Sequence, residues 1–116
     1  MNLLIIDENL MLNSKIKKLA EDNGYKAKII AFFKEKHLSD LDEIKPDFIL
    51  INLESKANNP METIRKLIEK GYKTIGYCGH TRTDLARQAK ELGAVFVATN
   101  GMIVSQLPQI VEGLRE

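Results

Sequence analysis

Cysteine is nearly absent from this sequence, and its scarcity excludes two kinds of structure. Cys78 is the only cysteine among the 116 residues, so the chain has no internal disulfide and no cysteine-based metal knuckle. An excess of charge of one sign is also missing, since 17 Lys and Arg residues nearly balance 16 Asp and Glu residues. The resulting net charge of +1 gives no field that would favour nucleic acid or an anionic membrane surface as a partner.

Long apolar runs and glycine-rich loops are missing as well. The longest strongly apolar segment is far shorter than the roughly 20 residues that span a bilayer. Asp7 and Glu8 follow the first apolar run at once, unlike the exit of a signal peptide. No glycine-rich phosphate loop is present, nor the Asp-x-His-x-x-Gly loop of cobalamin modules. We therefore expect a cytoplasmic protein in which residues 1–116 form one domain with one hydrophobic core.

What the sequence does contain is a fivefold alternation of apolar runs with amphipathic segments. Each short apolar run predicts a strand, and apolar residues at helical spacing between the runs predict helices. In the first helix, the residues predicted to share the buried face are Leu10, Leu12, Ile16, Leu19 and Ala20. The predicted strands span residues 3–6, 26–31, 48–51, 74–77 and 94–98.

This alternation predicts an α/β fold of the flavodoxin-like kind. Right-handed crossovers would make a (βα)5 doubly wound parallel sheet of five strands, covered by helices on both faces in three α/β/α layers. In such sheets, ligands and chemistry gather at the carboxyl ends of the strands. The candidate site residues are therefore the polar residues that end or follow the strands, namely Asp7, Glu8, Asn52, Glu54, Cys78 and Asn100.

The segment 46–54 is the most informative part of the chain. It is a short apolar strand that delivers one polar side chain, Asn52, at its carboxyl end. Together with the acidic pair Asp7–Glu8 after the first strand and Gly93–Ala94 before the fifth, it resembles the receiver (CheY-like) domains of two-component response regulators. The resemblance covers nearly the whole chain in pattern and spacing.

Among the functional residues of receiver domains, only the acidic pair is matched. The phosphoacceptor Asp of the family falls on Asn52, its Ser or Thr after the fourth strand on Cys78, its aromatic switch residue on Val97, and its Lys on Asn100. An amide is a poor nucleophile and carries no charge to hold a cation. The resemblance therefore implies an atypical pseudo-receiver that lacks the phosphoacceptor.

Several individual residues have two interpretations. The acidic pair would help to hold magnesium in a receiver domain, which leaves weak Mg²⁺ binding by Asp7, Glu8 and Glu54 open, with no other cofactor expected. Alternatively, the two acids cap the first helix. For Asn52 we favour a structural role, in which its amide hydrogen-bonds Asp7 or backbone amides. Cys78 is interpreted as a small buried apolar residue rather than a redox sensor.

Three classes of function are compatible with this sequence. We favour a phosphorylation-independent protein-interaction module that binds a regulatory protein or a second copy through the fourth helix, fifth strand and fifth helix. The alternative is a small-molecule or metal-ion sensor that uses the strand-end pocket. An enzyme is not expected, because no nucleophile–base pair is visible, and neither nucleic acid nor a membrane is expected as a partner. The predicted interaction face consists of Arg82, Arg87, Lys90, Glu91, Val97 and Thr99.

Overall fold

The computed structural model describes residues 1–115, which form five strands and five α-helices in alternation. The strands are β1 (Asn2–Ile6), β2 (Lys26–Ile30), β3 (Phe48–Asn52), β4 (Thr74–Cys78) and β5 (Phe96–Thr99). The helices are α1 (Leu10–Asp22), α2 (His37–Ile44), α3 (Pro60–Glu69), α4 (Thr83–Leu92) and α5 (Asn100–Leu114), with a 3₁₀ turn at Lys56–Asn58. Within residues 1–115, none of the helices is both long and apolar enough to cross a membrane.

The sheet confirms the predicted (βα)5 architecture. All neighbouring strands are parallel, in the order β2-β1-β3-β4-β5. Helices α1 and α5 pack on one face of the sheet, which we call the α1–α5 face, and α2, α3 and α4 pack on the other. Both faces are buried, and this explains why β3 reads as a continuous apolar run rather than an alternating one.

The alternation of side chains along the strands positions the site. Ile5, Leu50 and Ile75 all contribute to the core of the α1–α5 face. Side chains two residues apart in a strand point to the same face of a sheet. Asp7, Asn52 and Tyr77 each come two residues after one of these positions, so their side chains lie on the α1–α5 face at the carboxyl edge of the sheet.

The start of α1 differs from its predicted form in two ways. Leu10 is 75% exposed rather than buried, because the helix begins at this residue, whereas Asn13 is buried one turn further on. The N-cap is Asn9, whose side-chain oxygen accepts a hydrogen bond from the Leu12 amide at 3.0 Å. The interpretation in which the acidic pair caps the helix is therefore wrong.

The two last helices show two further differences and one agreement. The Thr-x-x-Asp spacing at residues 81–84 matches a capping box, but α4 begins at Thr83 and Arg82 makes no side-chain cap bond. Helix α5 begins at Asn100, with Thr99 as its N-cap, two residues before the start at about Met102 that the sequence predicts. Pro108 within the last predicted helix indicates a kink or a late start, and the structure has the kink, since Gln106 has non-helical backbone angles (φ −125°, ψ 16°).

Gly76 is a position in β4 where any side chain would collide with the core. A Cβ built on Gly76 would lie 2.9 Å from Leu53 Cδ2 and 3.1 Å from its Cγ, and Leu53 is buried. We expect Gly76→Ala to lower the free energy of unfolding by about 1–3 kcal/mol through overpacking, as measured by urea denaturation. Gly113→Ala is the matched control, because a Cβ there meets no atom within 4 Å. Equal effects of the two substitutions would contradict the prediction.

Candidate functional site

Three strand ends bring polar side chains together around the carboxylate of Asp7. Asp7 follows β1 and is fully buried, with 0% of its surface exposed. Its Oδ1 accepts hydrogen bonds from the Asn9 amide at 2.9 Å and from Asn52 Nδ2 at 3.1 Å. Its Oδ2 accepts a hydrogen bond from the Tyr77 hydroxyl at 2.7 Å. We call these four residues the Asp7 network.

The Asp7 network satisfies a carboxylate that burial would otherwise penalise. Burying an ionised group is costly unless hydrogen bonds replace its water, and hydrogen bonds to a charged acceptor are stronger than neutral ones. Asn52 serves the network with both ends of its amide, because its Oδ1 also accepts a hydrogen bond from the Glu54 backbone amide at 2.9 Å. The predicted structural role of Asn52 is therefore confirmed.

Tyr77 is the site residue that the sequence analysis missed. Its ring is fully buried on the α1–α5 face, and it is the register partner of Asn52. Burial raises the pKa of the Tyr77 phenol well above its usual range, and the neighbouring Asp7 carboxylate raises it further by repulsion and by holding the proton. A phenol in an otherwise apolar strand was the available signal, since buried tyrosine hydroxyls usually have a partner.

Tyr77 gives the protein a predictable response to alkali. The pKa of Tyr77 in the folded state lies above its unfolded value of about 10, so the native state keeps this proton longer than the unfolded chain. Stability from this group is therefore fully present below about pH 10 and is lost as the pH rises further. We expect tyrosinate absorbance and circular dichroism to show that Tyr77 ionises only as the protein unfolds.

Two substitutions separate Tyr77 from the other tyrosines. Tyr77→Phe should remove the ionisation that accompanies unfolding. Tyr72→Phe is the control, because Tyr72 is only half-buried and its surroundings raise its pKa less than burial raises the pKa of Tyr77. Ionisation of Tyr77 in the folded protein, in step with the half-buried tyrosines, would contradict the prediction.

Glu8, the second member of the acidic pair, is hydrogen-bonded by Ser55 rather than by the residues of the Asp7 network. Glu8 Oε1 accepts a hydrogen bond from Ser55 Oγ at 2.8 Å, and Ser55 Oγ in turn accepts one from Asn58 Nδ2 at 2.8 Å. The buried Asn58 side chain also donates to the Ala31 carbonyl at 2.8 Å and accepts from the Phe33 amide at 2.7 Å. Asn58 therefore ties the loop after β2 to the loop after β3, next to the acidic pair.

Glu54 completes the set of predicted metal ligands but has its own partners. Its Oε2 accepts a hydrogen bond from the Gly79 amide at 2.9 Å, and its Oε1 lies 3.6 Å from Arg82 Nη1. Within residues 1–115, no three His, Cys, Asp or Glu side chains are grouped so that they could hold a metal ion. Asp7, Glu8 and Glu54 therefore do not form a ready site for the magnesium ion that a receiver fold implies, and weak Mg²⁺ binding stays a prediction.

The pocket above the Asp7 network is acidic. It has a volume of about 480 Å³, and no Lys, Arg or His side chain of the described chain lines it. Asn100, where the family's Lys is expected, contributes the only buried side-chain oxygen or nitrogen within residues 1–115 that has no hydrogen-bond partner, its Oδ1. The lining residues are Asp7, Glu8, Asn9, Leu12, Asn52, Glu54, Ser55 and Asn100.

Cys78 behaves as a buried residue rather than as a reactive thiol. It is 3% exposed, and its Sγ donates a weak hydrogen bond to the Arg82 carbonyl at 3.6 Å. Burial raises the pKa of the thiol, and the Glu54 carboxylate raises it further. The interpretation of Cys78 as a small core residue is therefore confirmed.

The predicted interaction face is partly exposed and partly built into the fold. Arg82, just before α4, and Arg87, Lys90 and Glu91 within it are exposed, whereas Val97 and Thr99 are half-buried. Beside this face lies an apolar groove of about 170 Å³ between α4, β5 and the start of α5. The groove is lined by Cys78, Gly79, His80, Arg82, Thr83, Ala86, Val97, Ala98, Thr99 and Met102.

Comparisons with known proteins identify the class of fold. No family model matches the chain, and no curated protein sequence matches it. The receiver domain of NtrX from Brucella abortus matches with a TM-score of 0.84 at 14% identity, over 97% of this chain and 96% of that one. A CheY-like receiver domain protein from Methanospirillum hungatei matches with a TM-score of 0.79 at 18% identity, over 97% and 90% of the two chains.

A third structure shares the fold and contains a phosphorylated site. A response regulator from Burkholderia pseudomallei, solved with a phosphorylated aspartic acid, a calcium ion and citrate, matches with a TM-score of 0.72 at 19% identity, over 97% of this chain and 71% of that one. The chain is therefore a doubly wound α/β protein, and its fold is the CheY-like fold of response-regulator receiver domains. At these identities the likeness is one of fold, so its function has to be argued from its own side chains.

Proposed function

We propose that this chain is a pseudo-receiver, a phosphorylation-independent signalling domain of a two-component-like system that acts by binding a protein. The observation that carries the proposal is the Asp7 network. Position 52, where a receiver domain has its phosphoacceptor, holds an amide that donates to Asp7 instead of a carboxylate that could attack phosphorus.

The electrostatics of the pocket support the same proposal. Phosphoryl transfer depends on cations that neutralise the charge on the transferred group. Here three carboxylates line the pocket, and position 100 offers an amide where a lysine would pair with phosphate. A phosphoryl group in this pocket would face three carboxylates and no cationic side chain of the described residues.

The surface that would report phosphorylation also lacks its usual parts. Val97 is a short aliphatic side chain that packs against the core, where a receiver domain has an aromatic switch residue. Cys78 offers only a weak thiol donor, and this donor already contacts the Arg82 carbonyl. These features favour a domain that presents one constant surface, so that binding and not switching would carry the signal.

The α4 side is the surface we propose for this contact. Arg82, Arg87 and Lys90 outnumber Asp84 and Glu91 on its exposed part, so a small positive excess remains, although Arg82 is paired with Asp84 at 3.2 Å. Complementary charge raises association rates and selects partners. The proposed partner is therefore a regulatory protein that presents an acidic surface, or a second copy of this chain.

The proposed lack of a response to phosphorylation can be tested by an amide NMR titration with Mg²⁺, followed by Mg²⁺ with beryllofluoride as a phosphoryl mimic. We expect no saturable shifts at Asp7, Asn52, Cys78 and Asn100. The control is the same titration of a receiver domain that carries the phosphoacceptor Asp. Saturable shifts that spread from these residues to Val97 would contradict the proposal.

The proposed surface can be tested by charge reversal. We expect Arg87→Glu to weaken binding of the partner or, if the partner is a second copy, to shift light-scattering measurements toward the monomer. Lys15→Glu is the matched control, because Lys15 is exposed on α1, on the opposite face of the sheet. Equal effects of both reversals would show that binding does not use the α4 side.

A sensor that uses the acidic pocket is the second candidate. The observation that favours it is the unpartnered Asn100 Oδ1, which faces no donor within residues 1–115. A small molecule with a hydrogen-bond donor or positive charge would suit the surrounding carboxylates. The Mg²⁺ arm of the NMR titration, repeated with other cations, would detect such a ligand by saturable shifts confined to the pocket.

A further inference from the structure

We propose that Tyr77 is a positioning residue that holds the Asp7 carboxylate in place of a metal ion and thereby closes the site to divalent cations. The inference rests on the proposed function, since it explains how a receiver fold without phosphoryl chemistry keeps its acidic site intact. It assigns the hydroxyl of Tyr77 a role beyond filling the core.

The geometry of the Asp7 network carries this inference. A carboxylate offers about four lone-pair positions, and three of them are taken by donors of the chain. Asn9 and Asn52 occupy Oδ1, and Tyr77 alone occupies Oδ2. A divalent cation binds hard oxygen ligands at short range, so coordination by both oxygens of Asp7 would have to displace one of these donors, and one lone pair, on Oδ2, is left for a single contact. The donor set therefore fits a protein-held carboxylate and does not fit the cation that the fold implies.

The placement of Tyr77 makes its hydroxyl difficult to displace. The ring belongs to the core of the α1–α5 face and is completely buried, and β4 lies between β3 and β5. A side chain locked by packing on an interior strand holds its polar atom more precisely than one on a loop. The Tyr77 hydroxyl is therefore fixed at Asp7 Oδ2 without help from any loop.

Asn52 and Tyr77 hold different oxygens of the same carboxylate, and this division predicts a non-additive result. Asn52→Asp removes the donor to Oδ1 and adds a second carboxylate, yet Oδ2 stays bound to the phenol. Tyr77→Phe frees Oδ2 and leaves the ring volume unchanged. Only the combination leaves Asp7 Oδ2 without its phenol donor beside a second carboxylate.

The test compares the Mg²⁺ affinity of the wild type, Tyr77→Phe, Asn52→Asp and the double variant by amide NMR titration. We expect the double variant to bind Mg²⁺ about tenfold more tightly than Asn52→Asp alone, the factor that one hydrogen bond to a charged group is worth. Tyr72→Phe added to Asn52→Asp is the control and should change nothing. If the double variant is unfolded without the cation, the rise of its unfolding temperature with Mg²⁺ gives the same comparison.

A spectroscopic readout separates positioning from simple packing. In Tyr77→Phe the side-chain amide protons of Asn52 should shift and exchange faster with water, because the carboxylate that they contact is no longer held at Oδ2. Unchanged Asn52 amide resonances together with an unchanged Mg²⁺ affinity in the double variant would overturn the inference. Beryllofluoride-dependent switching of the wild type would instead overturn the proposed function, and that result would not depend on the role of the Tyr77 hydroxyl.

Discussion

Asp7→Ala is expected to lower the free energy of unfolding by about 3 kcal/mol or more, although it removes a buried negative charge. The substitution leaves the Tyr77 hydroxyl and the Asn52 amide without their acceptor, and both side chains are buried. A buried donor left without a partner costs about 1–3 kcal/mol, and the Asn9 amide loses its acceptor as well.

Whether Asp7→Ala lowers or raises the stability distinguishes a metal-binding cluster of carboxylates from a carboxylate that serves as a shared hydrogen-bond acceptor. Carboxylates gathered to bind a metal ion repel each other when the metal is absent, so removing one of them relieves strain. In the Asp7 network the carboxylate is the shared acceptor of three donors, so its removal should destabilise. Urea denaturation followed by circular dichroism measures the difference, and an unchanged or higher stability would contradict the description of the network.

Asp22→Ala is the control for this experiment. Asp22 lies on the surface of α1, where its Oδ2 is 3.2 Å from Lys18 Nζ and its side chain is 59% exposed. Exposed ion pairs of this kind contribute between about 0 and 1 kcal/mol. The large effect is therefore expected only where the carboxylate is buried and shared.

The fold could be predicted from the sequence because its strands and the start of α3 are marked by local patterns of residues. The apolar run of β3 is short, continuous and ended by Asn52, which is typical of a parallel strand buried on both faces. Pro60 is the first residue of α3, as a proline at the first helical position predicts, although Asn59 makes no side-chain cap bond. Local signals of this kind depend on neighbours in the sequence and need no knowledge of the tertiary structure.

The parts that could not be predicted depend on how distant segments meet. The helical periodicity places Leu10 on the buried face, but α1 begins at that residue and leaves it 75% exposed. The buried polar residue is instead Asn13, whose Nδ2 donates to the Asp7 carbonyl at 2.9 Å. Helical periodicity shows which residues share one face of a helix. It does not show at which residue the helix begins or whether its first turn is covered by the rest of the protein.

The candidate site likewise contains one residue whose role could be predicted from the local sequence and one whose role could not. The role of Asn52 could be predicted from its place at the end of β3. Tyr77 could not, because its partner Asp7 lies 70 residues away and is brought close only by the strand order β1-β3-β4. Once that order is known, the alternation of side chains places both residues on the α1–α5 face, and a buried phenol beside a buried carboxylate then becomes an expected hydrogen bond.

Asn52→Asp, which gives position 52 the residue that a receiver domain has there, is expected to destabilise this protein at neutral pH by about 2–4 kcal/mol. The Asn52 nitrogen lies 3.1 Å from Asp7 Oδ1, so the substitution replaces a donor with a second carboxylate at hydrogen-bond distance. Two unit charges about 4 Å apart near a protein surface repel each other by roughly 4 kcal/mol. Uptake of one proton by the pair limits the penalty.

The pH dependence of this penalty has a defined sign. The folded variant keeps a shared proton at a pH where the unfolded chain, with an ordinary Asp pKa of about 3.9, has released it. The native state then binds more protons, so the stability of the variant relative to the wild type falls as the pH rises from about 4 to 7. Urea midpoints across this range measure the effect, and Gln88→Glu, at an exposed residue of α4, is the control.

The same substitution is not expected to restore phosphate-dependent switching. Asn100 still supplies no cation to pair with a phosphoryl group, Val97 still lacks an aromatic ring that could move, and Tyr77 still holds Asp7 Oδ2. With Mg²⁺ and beryllofluoride, amide shifts in Asn52→Asp should therefore be weak and confined to the pocket, with none at Val97 or along α4. If this single substitution produced a phosphorylated, switching protein, the prediction would be wrong. Asn52 would then be the only residue that prevents phosphorylation, and the Asp7 network would not close the site to divalent cations.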